Sequence, residues 1–217
     1  MKAAQSLEEL LAGGLLAAGY TLLGRPDEAL AQQAKPMHHA MHMASNWVTL
    51  FDGTNLSGWH PIGNANWRLE GGAVVADKGE GFLVTEHSYA DFQLKVEFWV
   101  NDTANSGVFI RCAEPDKVTG PTAYEVNIFD QRPDPTYGTG AIVNVAKVVP
   151  MPKAGGKWNF YDITARGPRF TIVLNGKRTV NGAVDYKHAS GWIALQYGKA
   201  VVDTGVVKFR KVQIRTL

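Results

Sequence analysis

From residue 47 onward the hydrophobic and polar positions fall into short runs with a period of two. Phe92, Leu94, Val96, Phe98 and Val100 alternate with Gln93, Lys95, Glu97 and Trp99. A strand with that pattern turns one side to a core and shows polar and aromatic groups on the other. The pattern recurs. Val108, Ile110 and Cys112 suit a core against Phe109 and Arg111; Tyr124, Val126 and Ile128 suit one against Glu125, Asn127 and Phe129; Ile193 and Leu195 suit one against Trp192, Ala194 and Gln196. Further short runs are WRLEGGAVVA, GFLVT, AIVNV, NFYDITAR, FTIVL and VVKFRKVQIR. Turn residues separate them at regular intervals, which predicts an all-β sandwich or barrel. Asn175-Gly176 predicts a tight hairpin, because a type I′ turn needs positive φ at both central residues. Arg166-Gly167-Pro168-Arg169 predicts another turn.

Residues 1–46 read differently and are expected to be a leader outside the core, with one sandwich domain over 47–217. Leu10–Gly24 is an apolar stretch too short for a comfortable membrane span. It has the length of an export-signal core, and Ala29-Leu30-Ala31 resembles a cleavage site. That reading predicts an exported protein, periplasmic or secreted, with no membrane attachment beyond the cleaved signal. Glu8 and Glu9 stand against it, and the spacing of Ser6, Leu7, Glu9, Leu10 and Leu11 also suits a short amphipathic helix. His38, His39 and His42 have either a metal-binding reading or that of a linker with incidental histidines.

Composition narrows the picture. Of 217 residues 45% are hydrophobic and 19% charged, which permits one packed core. The 23 glycines and 10 prolines suit many turns. The net charge of +2 comes from interspersed basic and acidic residues, which excludes a nucleic-acid footprint. The single cysteine, Cys112, cannot form an internal disulfide, and its apolar neighbours mark it as a buried small hydrophobe.

If these strands lie near one another, Glu97, Trp99, Phe109, Arg111, Glu125, Asn127, Trp192 and Gln196 share one sheet face. Carboxylates, a guanidinium, amides and flat rings suit a sugar. An ordinary solvated face has the same phase, with Lys95 and Glu97 pairing across strands. Asp130 reads either as a ligand contact or as the start of a turn, and Tyr124 as core. Trp59 and Trp158 read as stacking or structural rings, and His87 and His188 as surface histidines.

The ordered set LFDGTNLSGW, NSGVFIR, YEVNIFD, YGTGAI, the W-N-x-Y-x-I-x-A-x-G run at Trp158–Gly167, and the closing GWIALQYG and VVKFRKVQIR resembles the 3-keto-disaccharide hydrolase domain family from about Val48 to Leu217. The resemblance implies a concanavalin A-like jelly-roll sandwich of two antiparallel sheets. It also implies cleavage of glycosides whose sugar carries a ketone at C3. That ketone acidifies the C2 proton. A base removes the proton, the C1 substituent leaves by elimination, and water adds back or the unsaturated sugar is released. Glu125, in the Y-E-V position, is then the expected base or a metal ligand. Arg111 is the expected enolate stabiliser and Glu97 the second carboxylate, as acid or metal ligand. Asn105, Asn127, Asp130, Trp99, Phe109, Trp192 and Gln196 are the expected substrate contacts. Some relatives depend on a divalent metal, and an oxygen-rich set would suit calcium, magnesium or manganese. The expected partner is an oxidised sugar or glycoside, with no organic cofactor. Relatives often read Q-x-H-G in the last sheet motif, whereas this chain has Gln196-Tyr197-Gly198. A non-catalytic carbohydrate-binding module using the same face is the alternative.

Overall fold

The computed structural model describes residues 46–198 and 205–217. The apolar stretch Leu10–Gly24, the cleavage-like Ala29-Leu30-Ala31 and the histidines 38, 39 and 42 lie outside the described residues. Among the described residues there are thirteen strands: β1 Val48–Phe51, β2 Trp59–Gly63, β3 Arg68–Glu70, β4 Ala73–Ala76, β5 Gly81–Thr85, β6 Phe92–Val100, β7 Asn105–Cys112, β8 Tyr124–Ile128, β9 Lys157–Arg166, β10 Arg169–Leu174, β11 Lys177–Val184, β12 Trp192–Gly198 and β13 Val207–Thr216. They build two antiparallel sheets, as a jelly roll requires. The larger runs β11-β10-β9-β6-β13-β4-β3, with β1 also paired to β13; the smaller runs β2-β5-β12-β7-β8.

The period-two patterning sets the core. In β6 the alternation is complete, with Phe92, Leu94, Val96, Phe98 and Val100 all at 2% exposure or less. Those residues meet Val108, Ile110, Val126, Ile128, Ile193 and Leu195 of the smaller sheet in one apolar cluster. Tyr124 and Trp59 belong to the same cluster, so both are core residues. Trp59 also donates from Nε1 to the Leu50 carbonyl at 2.7 Å, satisfying its one polar atom. The Asn175-Gly176 hairpin forms with φ of 51° and 80°, as its sequence predicts.

Two expectations change. AIVNV is not a strand: Ile142 makes isolated bridges to Val126 and Ala146, and the segment folds back in turns along the β8 edge. Trp59–Gly63 is a strand the alternation did not show. It lies at a sheet edge, where Pro61 costs no ladder bond.

The topology also divides the expected sugar face. β6 belongs to the larger sheet, and β7, β8 and β12 to the smaller one. Strand phase separates inside from outside but does not say which sheet a strand joins. Glu97 and Trp99 therefore lie on the outer face of one sheet, while Glu125, Asn127 and Gln196 lie on the outer face of the other.

Candidate active site

The outer face of the smaller sheet has two halves. One is covered. The loop from Ala113 to Ala123 folds over it, and Val118 and Ala123 pack on Val84, Phe109, Cys112 and Ala194. Trp192 sits beside this cluster, its Nε1 donating to the Glu86 carbonyl at 3.4 Å. Phe109 is 3% exposed and meets Phe82 edge-on at 5.1 Å. Both expected stacking rings thus support the covering loop.

The other half is polar, its groups buried or half-buried. Gln196 of β12 pairs with Gly107 of β7, and Gly107 with Asn127 of β8, so one row crosses three strands. Gly107 has no side chain to fill that row. A Cβ there would lie 3.2 Å from both Cγ and Oε1 of Glu125, so the Glu125 carboxyl rests directly on the Gly107 backbone. Gly198 repeats the device: a Cβ there would come within 2.9 Å of Asn105 Nδ2 and 3.1 Å of Gln196 Cδ. The two glycines at outward positions let Glu125, Asn105 and Gln196 settle onto the sheet, and a cavity of about 370 Å³ opens at the Gln196–Gly198 end, lined also by Glu80, Asp116 and Lys117.

Electrostatics single out Glu125. Its side chain is half-buried, and burial pushes its carboxyl up to about 7, with the positive charge of Arg132 pulling it partly back. A carboxyl in that state exchanges a proton near neutrality. Asn127 Nδ2 donates to the Tyr137 carbonyl at 2.7 Å, which fixes the amide and points Oδ1 the other way. That Oδ1 and the Gln196 Oε1 are buried with no hydrogen-bond partner among the described residues. Buried acceptors without donors are costly, and sugar hydroxyls would supply the missing donors.

Four expected site residues do other work. Glu97 pairs with Arg210 at 2.6 Å on the larger sheet, and Trp99 lies beneath Lys208 on the same face. Arg111 is turned inward. The β7–β12 register slips there, and Arg111 takes φ 52°. A bulge reverses the phase of the residues beyond it. Cys112 therefore joins the outer cluster, where burial pushes its thiol up to about 12. The Arg111 guanidinium, 1% exposed, donates to the carbonyls of Ala90, Gly167 and His188 and to Asp91, and lies 5.3 Å from the Phe170 ring of the larger sheet. It clamps loops at the end of the sandwich. A cavity of about 410 Å³ adjoins that clamp, lined also by Pro168, Asp185 and Tyr186. Asp130 is likewise a brace. Its carboxylate accepts from Thr139 Oγ1 and from the amides of Ala154 and Gly155.

Sequence reasoning missed Gly107, Gly198 and Arg132. A glycine inside an alternating strand signals close approach of another group, and Gly107 in NSGVFIR had that signal. Arg132 lies in a loop and had none. With Glu97 elsewhere, the expected two-carboxylate cation site does not form. Glu125 is the one carboxylate of this row, its partners are neutral amides, and Arg132 acts on it with like sign to a metal. These residues do not fit a divalent ion that needs two carboxylates.

Residues 46–215 match the 3-keto-alpha-glucoside-1,2-lyase-like domain. The chain belongs to that family. A 3-keto-disaccharide hydrolase from Bacteroides thetaiotaomicron is 26% identical over 149 residues, covering 54% of this chain and 51% of that protein. The chain thus spans about half the length of the curated relative it matches. Among solved structures, a Parabacteroides distasonis protein assigned to the glycosyl hydrolases is 25% identical with a TM-score of 0.64, covering 79% of this chain and 99% of the other. The β-glucanase of Bacillus licheniformis shares the fold at 12% identity, with a TM-score of 0.57 over 80% of this chain and all of that one. The family match gives the resemblance seen in the sequence a defined extent, and the glucanase likeness gives the jelly roll.

Proposed function

We propose that this domain cleaves the glycosidic bond of a 3-keto-glycoside, with Glu125 as the base that removes the C2 proton. The observation that carries the reading is the Glu125 carboxyl resting on Gly107, with its ionisation raised to about 7 and two unpartnered amide oxygens in the same row. Family membership supports that substrate class.

Each group then has a task. The Glu125 carboxylate takes the C2 proton, and the C2–H electron pair passes into the enolate of the C3 ketone. Arg132, the cation that acts on Glu125, stabilises the negative charge as it moves to the enolate oxygen. The enolate then expels the C1 substituent, whose oxygen takes a proton from water. The hydroxide left by that water adds at C1 while Glu125 returns its proton to C2, which completes hydrolysis; if the unsaturated sugar is released first, the hydroxide takes the Glu125 proton instead. Asn127 Oδ1 and Gln196 Oε1 accept from sugar hydroxyls and hold C2 over the carboxylate. A base that titrates near 7 is half ionised at neutral pH and still strong enough to act, a balance an exposed glutamate lacks.

The carbohydrate-binding-module reading needs stacking rings on an open face. Phe109 and Trp192 are engaged with the covering loop, so the polar half offers a carboxylate and amides instead. The test is release of the aglycone from a 3-keto-glucoside, followed for wild type and Glu125→Gln, with and without EDTA. Wild type turns over and Glu125→Gln loses at least about a hundredfold. Equal turnover by both removes Glu125 from the chemistry, and sugar binding without turnover restores the module reading.

A further inference from the structure

The outer face of the larger sheet lies opposite the proposed active site and carries an unusual arrangement of charge. Along β13 the outward positions are Lys208, Arg210, Lys211, Gln213 and Arg215, a file roughly 23 Å long at about 3.3 Å per residue. Indole rings rather than carboxylates hold most of these cations. Lys208 lies 5.2 Å from the Trp99 ring and Arg210 4.1 Å from Trp158; Lys95 and Arg215 lie 4.4 and 5.2 Å from Trp47. Three acids lie near this field: Glu97, paired with Arg210; Asp162, which accepts from the Gln93 amide; and Asp52, which accepts from Thr54.

Two further observations point to a ligand. Arg215 donates to Gln93 Oε1 through Nη2, yet its buried Nε has no acceptor among the described residues. Two clefts, of about 340 and 250 Å³, meet at the Glu97–Arg210 pair. One reaches Lys211 and Asp52, the other the exposed edge of Trp158. The two clefts thus cross the cationic file at Arg210, one toward the β3–β4 turn and the other toward β9.

We infer that this face is a second binding site, one that takes a linear acidic polysaccharide such as a polyuronate along β13. Cations in a file match anionic groups repeated along a chain, and the clefts that cross the file at Arg210 admit a sugar ring there. A single-stranded nucleic acid is the weaker fit. It needs open aromatic faces for its bases, and here Lys208, Arg210, Lys95 and Arg215 already cover the indoles. The inference is independent of the role given to Glu125. It would let the domain hold an acidic glycan on one sheet while the other sheet meets the substrate.

The test is affinity electrophoresis and calorimetry of the full chain with polygalacturonate, with neutral dextran and oligo-dT as comparison ligands. Wild type binds polygalacturonate, and more weakly as salt rises. Lys208→Gln/Lys211→Gln changes two surface side chains, so the fold should survive. It weakens binding at least about tenfold and lowers the salt slope by roughly one per charge removed. Glu125→Gln binds as wild type does. The inference fails if polygalacturonate is not bound, if the double variant binds it unchanged, or if Glu125→Gln abolishes binding. Tighter binding of oligo-dT than of polygalacturonate would also overturn it.

Discussion

Replacing Glu125 by glutamine should make the protein more stable, and only above a defined pH. Burial raises the Glu125 carboxyl from 4.5 to about 7. In the unfolded chain the same group ionises near its ordinary value. Below pH 4.5 it is protonated in both states and makes no difference to stability. As pH rises from 4.5 to 7 the unfolded state loses its proton first, so the folded state is progressively penalised. Above 7 both states are ionised and the penalty levels off at about 3 kcal/mol. Glutamine keeps the shape of the protonated acid and never ionises. Urea titrations of wild type and Glu125→Gln should therefore give similar stabilities at pH 4 and diverge between pH 4.5 and 7. The variant should be the more stable by about 3 kcal/mol at pH 8, a melting difference of roughly 6–12 °C for a domain of this size. The wild type–variant difference cancels the titration of the other carboxylates. Parallel curves across that range would refute the account of Glu125 as a buried, proton-exchanging acid.

Four other substitutions or probes separate the site from its scaffold. Gly107→Ala places a Cβ 3.2 Å from Glu125 Oε1, so turnover should fall at least about tenfold while the melting temperature moves by only a few degrees, read by aglycone release and thermal denaturation. Arg111→Met removes the donors serving three carbonyls and leaves Asp91 without its cation; it should cost about 3–5 kcal/mol in urea at any pH from 5 to 9. Asp130→Ala removes the acceptor serving Thr139 Oγ1 and the amides of Ala154 and Gly155 and should cost about 2–3 kcal/mol, measured the same way, with kcat retained below the melting range. The Cys112 thiol, raised to about 12 and covered by Val118, should resist a thiol reagent at pH 8 until the protein is unfolded.

What the sequence made legible was inside against outside. The alternation in Phe92–Val100 places every core residue of β6 correctly, and the Asn175-Gly176 turn forms as its backbone demands. Alternation has no term for sheet membership, because both sheets of a sandwich present the same phase. For that reason Glu97 was grouped with Glu125 when β6 crosses to the other sheet. Nor does it foresee a bulge. One irregular residue at Arg111 exchanges the sides taken by Arg111 and Cys112, and a presumed catalytic cation becomes a loop clamp. Asp130 shows a third limit. Its partners come from residues 139, 154 and 155, too far along the chain for local spacing to reveal. Glu125, Asn127, Gln196 and Asn105 were legible because β7, β8 and β12 are neighbours and their phase is unbroken at those positions.

The most direct test of the central claim is the kinetics of a 3-keto-glucoside deuterated at C2. If Glu125 removes the C2 proton, kcat/KM shows a primary isotope effect in wild type and rises tenfold per pH unit on an acid limb that bends near 7. In Glu125→Gln the residual rate loses that limb. Turnover that is indifferent to deuterium at C2, with an acid limb unchanged by Glu125→Gln, would contradict the account.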